Sequence, residues 1–210
     1  MCIRDSYRVL ARKYRPNDFS ELIGQDTLVK TFNNSLNNGR LAHAFLLTGI
    51  RGVGKTTTAR IIAKALNCVS DGNKKKPTFE ICNECSPCKS INNGNFLDVI
   101  EVDAASRTGV DGIREIIDSV MYSPNNARYK VYIIDEVHML SNAAFNALLK
   151  TLEEPPQNVK FIFATTEIKK IPATIISRCQ KFDLQRVDIE TLTNHLNRLC
   201  KAENISYERN

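Results

Sequence analysis

A glycine-rich segment between an apolar run and an amphipathic run constrains this chain more than any other feature. Residues Gly49 to Thr56 read GIRGVGKT, which fits the pattern G-x-x-x-x-G-K-[ST]. The preceding run Ala44–Thr48 predicts a buried strand, and Thr56–Leu66 carries apolar residues at helix spacing. In that context the backbone N–H groups of the loop and the helix N-terminus converge and favour a bound phosphate. A chance glycine-rich turn is the alternative, and its flanks argue against it.

The loop predicts ATP and Mg²⁺ as ligands. The ammonium of Lys55 would neutralise the β- and γ-phosphates, and the hydroxyl of Thr56 would join the Mg²⁺ shell. The expected nucleotide-binding residues are consecutive in the chain: Gly49, Ile50, Arg51, Gly52, Val53, Gly54, Lys55, Thr56 and Thr57.

Two acids follow a second apolar strand. The run Lys130–Ile134 leads directly into Asp135 and Glu136. Asp135 would position Mg²⁺, usually through water, and Glu136 could orient and deprotonate the attacking water. Solvated acids at a strand end are common, but the phosphate loop upstream favours the hydrolytic interpretation.

Two further polar positions at strand ends allow a functional and a structural interpretation. For His138, packing or hydrogen bonding at the strand end is favoured over catalysis. Thr165 and Thr166 close another strand, and a hydroxyl there could contact the γ-phosphate or the attacking water. A β-branched strand end is the equally weighted alternative.

Short apolar strands alternate with amphipathic helices along the chain. Further strands are expected at 97–102 and 159–164, and helices at 110–120 and from Ser141, as N-cap, to Leu152. Repeated β-then-α order predicts an α/β fold in which helices flank a parallel sheet. Ligands of such sheets bind at the carboxyl ends of the strands, where the motifs above fall. From residue 188 the pattern is wholly helical and indicates the start of a second, helical domain.

Four cysteines have the spacing of a metal site. Cys82, Cys85 and Cys88 form C-x-x-C-x-x-C, and Cys68 lies upstream across a polar loop. Four thiolates suit a tetrahedral, structural Zn²⁺, since they leave no open position for chemistry. An iron–sulfur cluster is the competing interpretation.

Composition excludes several classes of protein. The apolar fraction of 42% and the charged fraction of 25% are those of an ordinary globular protein and argue against disorder. No apolar run approaches the ~20 residues of a membrane helix, and no secretory signal is visible, so a cytoplasmic protein is expected. The net charge of +6 permits a nucleic-acid partner without requiring one.

Taken together, these motifs resemble those of a known family. DVIEVDAASR at 98–107, ALLKTLEEPP at 147–156 and Ser177-Arg178-Cys179 join the phosphate loop, the acid pair and the cysteines. The combination resembles the gamma/tau subunits of bacterial DNA polymerase III, which are clamp-loader ATPases. The similarity extends from about Tyr7 to the C-terminus. The inserted cysteine cluster distinguishes this family from other clamp-loader ATPases, which share the Ser-Arg-Cys and Asp-Glu features.

The resemblance implies a P-loop NTPase fold of AAA+ type in a cytoplasmic hetero-pentamer that uses ATP to place a sliding clamp on primed DNA. It implies an ATPase domain at 7–187 with a zinc-binding insertion at 68–88, and a truncated helical lid at 188–210. Residues 1–6 would then be a non-native or disordered leader, and the sequence a fragment. No nucleotidyl transfer is expected from the chain itself.

The resemblance also assigns roles to single residues. Thr166 matches the sensor-1 position, and Arg178 matches an arginine finger that reaches the ATP of a neighbouring subunit. The segment Tyr7–Pro16 matches a stretch near the adenine. The remaining matches are Lys55 and Thr56 in Walker A, Asp135 and Glu136 in Walker B, and Cys68, Cys82, Cys85 and Cys88 as zinc ligands.

Two arginines and the chain as a whole allow a second interpretation. Arg178 could be a surface ion-pair partner, and Arg107 could contact DNA phosphates or pair with Asp103 or Asp111. The whole chain could be a nucleotide-bound structural subunit, or a helicase or branch-migration motor on the same core.

Overall fold

A computed structural model describes residues 9–70, 76–106 and 110–205, without the side chains of Arg12, Val110 and Asp111. The expected leader at 1–6 and the DNA-contact candidate Arg107 lie outside the described residues.

The described residues form one sheet of five strands. The strands are β1 (Ala44–Thr48), β2 (Val99–Asp103), β3 (Lys130–Asp135), β4 (Val159–Thr165) and β5 (Gln180–Asp183). Their order across the sheet is β2-β3-β4-β1-β5, and every neighbouring pair is parallel. The parallel sheet expected from the β-then-α order is therefore confirmed.

Helices follow most of the strands. The eight α-helices of the described residues are α1 (Leu10–Lys13), α2 (Asp26–Asn37), α3 (Lys55–Asn67), α4 (Ser86–Asn93), α5 (Val110–Val120), α6 (Asn142–Glu153), α7 (Ala173–Ile176) and α8 (Ile189–Ala202). Short 3₁₀ turns lie at Phe19–Glu21, Val137–Met139 and Ile168–Lys170. Ser141 caps α6 as expected, since its Oγ accepts from Ala144 N at 3.2 Å.

The core lies on both faces of the sheet. Successive residues of a strand point to opposite faces, so Leu46 joins the layer beneath α5, α6 and α7, whereas Phe45 and Leu47 join the layer beneath α2 and α3. Every residue of β1 and of β4 is buried, which is typical of central parallel strands. This two-sided burial is why both strands are near-continuous apolar runs in the sequence.

Two strands differ from the sequence-based expectation. β2 begins at Val99 rather than at Leu97, whose side chain is 76% exposed. Asp98 is buried just before the strand, and its carboxylate accepts the backbone N–H groups of Asn125, Asn126 and Ala127 at 2.9 Å each. β5 was not predicted, because QKFD contains one buried apolar residue among exposed polar ones.

Strand register brings the functional candidates to one edge. Thr48 at the end of β1 is level with Thr165 of β4 and Asp183 of β5. Asp135 at the end of β3 is level with Asp103 of β2. The loops that follow β1, β3 and β4 therefore meet at the carboxyl edge, which is where parallel sheets bind ligands.

Candidate nucleotide and metal sites

The glycine-rich loop after β1 has a backbone that few residues other than glycine adopt. Gly49, Gly52 and Gly54 have φ values of 147°, 83° and 102°. At Gly49 a side chain is also excluded by contact, since a Cβ there would lie 2.9 Å from Leu184 O. The loop ends at Gly54, and α3 begins at Lys55, so the helix N-terminus opens onto the loop.

Lys55 lies inside the curl of this loop. Its side chain is buried, and Nζ donates to Gly49 O and to Ile50 O at 3.0 Å each. Burial lowers the pKa of Lys55, and the nearby carboxylates of Glu136 and Asp135 partly oppose that shift. The loop therefore holds the ammonium near the two acids at the carboxyl end of β3.

Asp135 at the end of β3 contacts α3, and Glu136 after it contacts the first residue beyond β4. Thr56 Oγ1 donates to Asp135 Oδ2 at 2.5 Å, and Asp135 Oδ1 accepts from Glu136 N at 2.9 Å. Glu136 has a φ of 46°, which is uncommon for a non-glycine residue and directs its side chain away from the strand line. Thr166 Oγ1 donates to Glu136 Oε2 at 3.1 Å. The structure thus brings together Thr56, Asp135, Glu136 and Thr166.

His138 makes hydrogen-bond contacts at the strand end, with partners that the sequence did not indicate. Its side chain is 6% exposed, and Nδ1 lies 3.0 Å from Thr165 Oγ1 and 3.4 Å from Glu136 Oε2. Nε2 lies 3.4 Å from Glu167 Oε1. The imidazole therefore packs behind Glu136 and links it to the end of β4, in agreement with the structural interpretation of His138.

The loop and the acids line the polar end of a longer cleft. This end encloses about 320 Å³ and is lined by Arg15, Arg51, Gly52, Gly54, Lys55, Thr56, Thr57, Asp135 and Glu136. A second space of about 330 Å³ shares Arg15, Gly52, Gly54 and Thr57 with it. Its other lining residues are Ala11, Tyr14, Pro16, Glu21, Leu22, Ile23, Gln25, Val53, Val187, Leu192 and His195.

The wall of the second space comes from segments far apart in the chain. Residues 11–25 supply most of it, and α8 adds Leu192 and His195. Gln25 fixes this wall to the chain after β5, because its Nε2 donates to Gln185 O at 2.8 Å and its Oε1 accepts from Gln185 N at 3.0 Å. No motif indicated Gln25, Leu192 or His195, since their role depends on tertiary contact.

The two ends of the cleft differ in polarity, as the two ends of a nucleotide do. One end concentrates cations, carboxylates and backbone N–H groups, which suits phosphates and a divalent ion. The other end mixes apolar side chains with a few polar groups, which suits a base and a sugar.

Arg178 does not line this cleft. It lies directly after α7, where Nη2 contacts Glu153 Oε1 at 2.5 Å and Nη1 donates to Thr174 O at 2.7 Å. The side chain is 32% exposed. Within the chain, Arg178 is therefore an ion-pair partner of Glu153. Its role as an arginine finger toward a neighbouring subunit stays a prediction.

The four predicted metal ligands converge in space. The sulfurs of Cys68, Cys82, Cys85 and Cys88 all lie within 4.8 Å of one another. Cys68 Sγ is 3.5 Å from Cys82 Sγ and 4.0 Å from Cys85 Sγ. A tetrahedral ion with metal–sulfur bonds of about 2.3 Å requires sulfurs about 3.8 Å apart, so the set fits one such ion. A cluster of several irons with bridging sulfides needs its thiolates further apart.

The surroundings of Cys82 favour its thiolate, whereas burial raises the pKa of the Cys85 and Cys88 thiols. Burial raises the pKa of Cys82, but backbone N–H groups of Cys85 and Glu84 outweigh it and lower that pKa to about 7. Cys85 N donates to Cys82 Sγ at 3.3 Å. Backbone donors aimed at a sulfur stabilise the thiolate, which is the form that binds a metal.

Comparison with known proteins identifies the family. Residues 24–188 match the model of the family described as DNA polymerase III, delta subunit. The chain belongs to this family of DNA polymerase III subunits. The polymerase III tau/gamma subunit of Haemophilus influenzae is 53% identical over 203 residues, which cover 97% of this chain and 29% of that protein. The tau subunit of Bacillus subtilis is 52% identical over 203 residues, covering 97% and 35%.

The polymerase III relatives are longer than this chain. It spans about a third of the length of the Haemophilus and Bacillus proteins, and 54% of the gamma subunit of Buchnera aphidicola subsp. Baizongia pistaciae, to which it is 49% identical. The expected resemblance to gamma/tau subunits is confirmed by these relatives.

Solved structures show the same fold. The RuvB Holliday junction branch migration motor of Thermotoga maritima matches with a TM-score of 0.65 and 22% identity, over 93% of this chain and 56% of that one. A polymerase III gamma subunit-related protein of the same organism matches with a TM-score of 0.54 and 22% identity, over 85% and 52%. The AAA+ type of P-loop fold is confirmed.

No helix within residues 9–70, 76–106 and 110–205 combines the length and the apolar character needed to cross a bilayer.

Proposed function

We propose that this chain is the ATP-hydrolysing motor part of a clamp-loader subunit of bacterial DNA polymerase III, which places a sliding clamp on primed DNA in the cytoplasm. One observation carries the proposal: Lys55, Thr56, Asp135 and Glu136 line a single cleft in a chain of this family. Other loader subunits, the clamp and primed DNA would be its partners. The names of the tau and gamma relatives support this assignment.

The side chains of the cleft have separate tasks in hydrolysis. Lys55 would donate to phosphate oxygens in place of its loop carbonyls, and Thr56 and Asp135 would hold a Mg²⁺ that neutralises phosphate charge. Glu136 accepts a proton from the attacking water, and Thr166 keeps the Glu136 carboxylate in position. The His138 contact supports the same carboxylate from behind.

The proposal includes the remaining site residues and the domain organisation. Arg178 serves as an arginine finger toward a neighbouring subunit's ATP. Cys68, Cys82, Cys85 and Cys88 bind a structural Zn²⁺. The ATPase domain comprises 7–187, and a helical lid starts at 188 with α8.

Glu136→Gln tests the hydrolytic assignment in the full-length subunit within an assembled loader. The amide keeps the shape and an acceptor for Thr166 but cannot take a proton, so we expect nucleotide binding to persist and turnover to fall by about 100-fold or more. Fluorescent-nucleotide binding and phosphate release measure the two effects. As a control, Lys55→Ala should weaken binding itself.

The opposite result would favour a nucleotide-bound structural subunit. If steady-state hydrolysis were the same in Glu136→Gln and in the unchanged subunit, Glu136 would not be the base. The chain would then act as a scaffold that binds ATP without consuming it.

A branch-migration or helicase motor is the second candidate. The likeness to the branch migration motor of Thermotoga maritima favours it at the level of fold. Such a motor would separate or move DNA strands without a clamp. Strand separation by the assembled full-length protein, in the absence of any clamp, would support this candidate over clamp loading.

A further inference from the structure

A lysine on the phosphate-loop helix is buried far from the phosphates. Lys64 lies on α3, about two turns beyond Thr56, and is 1% exposed. A buried ammonium is costly unless its donors are partnered. The Lys64 ammonium therefore needs hydrogen-bond acceptors, and these acceptors come from two other segments of the chain.

The ammonium of Lys64 joins the nucleotide cleft to the cysteine cluster. Its Nζ donates to Asn17 O, which directly follows the cleft residues Arg15 and Pro16. It also donates to Asn83 Oδ1 at 3.0 Å, and Asn83 directly follows the metal-ligand candidate Cys82. One cation thus holds the two segments at a fixed separation.

A pair of aromatic rings makes a second contact between the same segments. Phe79, just before the cysteines, stacks on Phe19 with ring centroids 4.7 Å apart and an interplanar angle of 6°. Phe19 in turn packs on Phe32 of α2, with centroids 5.2 Å apart. The cysteine-bearing segment therefore backs the chain at 17–19, whose neighbours form the wall of the cleft.

Charge favours this arrangement when a metal is bound. Four thiolates around a divalent ion leave a net negative charge. Burial lowers the pKa of Lys64, and the groups of Cys88, Asp18, Glu21 and Cys68 act in the opposite direction. A metal-thiolate centre thus adds an opposite charge beside a buried cation, and it also fixes the backbone around Asn83.

We infer that metal binding and nucleotide binding are thermodynamically coupled through Lys64, with Asn83 as the positioning residue that transmits the coupling. The metal orders the Cys82–Cys85 turn, Asn83 in that turn holds Lys64, and Lys64 holds Asn17 and the cleft wall. This inference rests on the proposed function, because it assumes that the two sites take a metal and a nucleotide. Coupling is reciprocal, so bound nucleotide also retains the metal.

Asn83→Gly is the variant that separates the two sites. Asn83 has a φ of 56°, a conformation that glycine adopts without strain, so the turn is kept while the contact with Lys64 is lost. Asn83→Asp supplies a carboxylate to the same ammonium and should preserve the coupling. Asn204→Gly is the matched control, because Asn204 has a φ of 54° and lies after α8, away from the cysteines.

The affinity of the full-length subunit for a non-hydrolysable ATP analogue is measured with zinc loaded and with zinc removed. In the unchanged protein and in Asn204→Gly and Asn83→Asp, we expect zinc removal to weaken binding about fivefold or more. In Asn83→Gly zinc removal should weaken binding clearly less, because the Phe79–Phe19 contact still joins the two segments. The rate of zinc release to a chromophoric chelator should fall with nucleotide present, and should fall less in Asn83→Gly.

The outcomes separate this inference from the proposed function. Equal nucleotide affinity of the zinc-loaded and zinc-free unchanged protein would overturn the coupling and leave the ATPase assignment intact. The same loss in Asn83→Gly as in the unchanged protein would overturn the role of Asn83. A zinc-loaded subunit that binds no nucleotide at all would contradict the proposed function and the inference with it.

Discussion

At the scale of single residues, Arg178 poses the sharpest question. Its guanidinium pairs with Glu153 on the surface of the same chain, and exposed pairs of this kind contribute about 0–1 kcal/mol to stability. An arginine finger instead acts on a neighbour's phosphates, where it can raise turnover by about 10³-fold or more. If Arg178 acts only in the ion pair, removing Glu153 should have the same effect as removing Arg178. If Arg178 is an arginine finger, removing Glu153 should change turnover little.

Arg178→Ala should leave ATP binding intact and abolish hydrolysis in the assembled loader, whereas Glu153→Gln should leave hydrolysis near its normal rate. Both substitutions break the pair of Arg178 and Glu153, but only the first removes a charge from the neighbouring site. Phosphate release by loaders reconstituted with each variant measures the difference. Equal rates for the two variants would assign Arg178 to the ion pair alone.

At the scale of elements, Asp98 shows how a polar residue can position a strand. It is 2% exposed, and its carboxylate accepts three backbone N–H groups from residues 125–127, just before β3. These bonds join the start of β2 to the turn that precedes its neighbour in the sheet. Loss of the carboxylate would leave three donors without their acceptor.

Asp98→Ala should lower the free energy of unfolding by about 3 kcal/mol or more, because each buried donor left unpaired costs about 1–3 kcal/mol. Urea denaturation followed by circular dichroism measures the change. Asp98→Asn, which keeps one acceptor oxygen, is the control and should lose less. Equal, small losses for both variants would mean that water replaces the carboxylate.

The elements also show how far sequence alone can go. β1 and β3 were predictable because each is a continuous apolar run, and α3 and α5 because their apolar residues recur at helix spacing. β5 was not, because an edge strand of four residues with one buried side chain carries no periodic signal. Asp98 looked like part of β2, since its local sequence does not reveal the distant donors that it accepts.

The residues of the candidate site also fall into two groups, those that sequence motifs predict and those that only the folded chain brings together. The convergence of Lys55, Thr56, Asp135 and Glu136 was predictable, because each belongs to a short motif at the carboxyl end of a strand in a parallel sheet. Gln25, His195 and the contact of His138 with Thr165 depend on segments that meet only in the folded chain. The pairing of Arg178 with Glu153 was anticipated only as a type of contact, without its partner.

At the scale of the whole molecule, the two sides of the cleft differ in how deeply their elements are buried. The phosphate loop and the acids are anchored to buried strands, whereas the opposite wall depends on residues 11–25 and on α8. Leu192 and Leu196 of α8 are 46% and 50% exposed, so this helix packs less tightly than the sheet.

The central claim is that this cleft drives clamp loading, and the ATPase rate of the reconstituted full-length loader tests it most directly. The rate is measured alone, with the sliding clamp, with primed DNA and with both. We predict stimulation by clamp and primed DNA together beyond that by either one, because a motor that places clamps turns over only with both substrates. A rate that stays the same in all four conditions would contradict the claim.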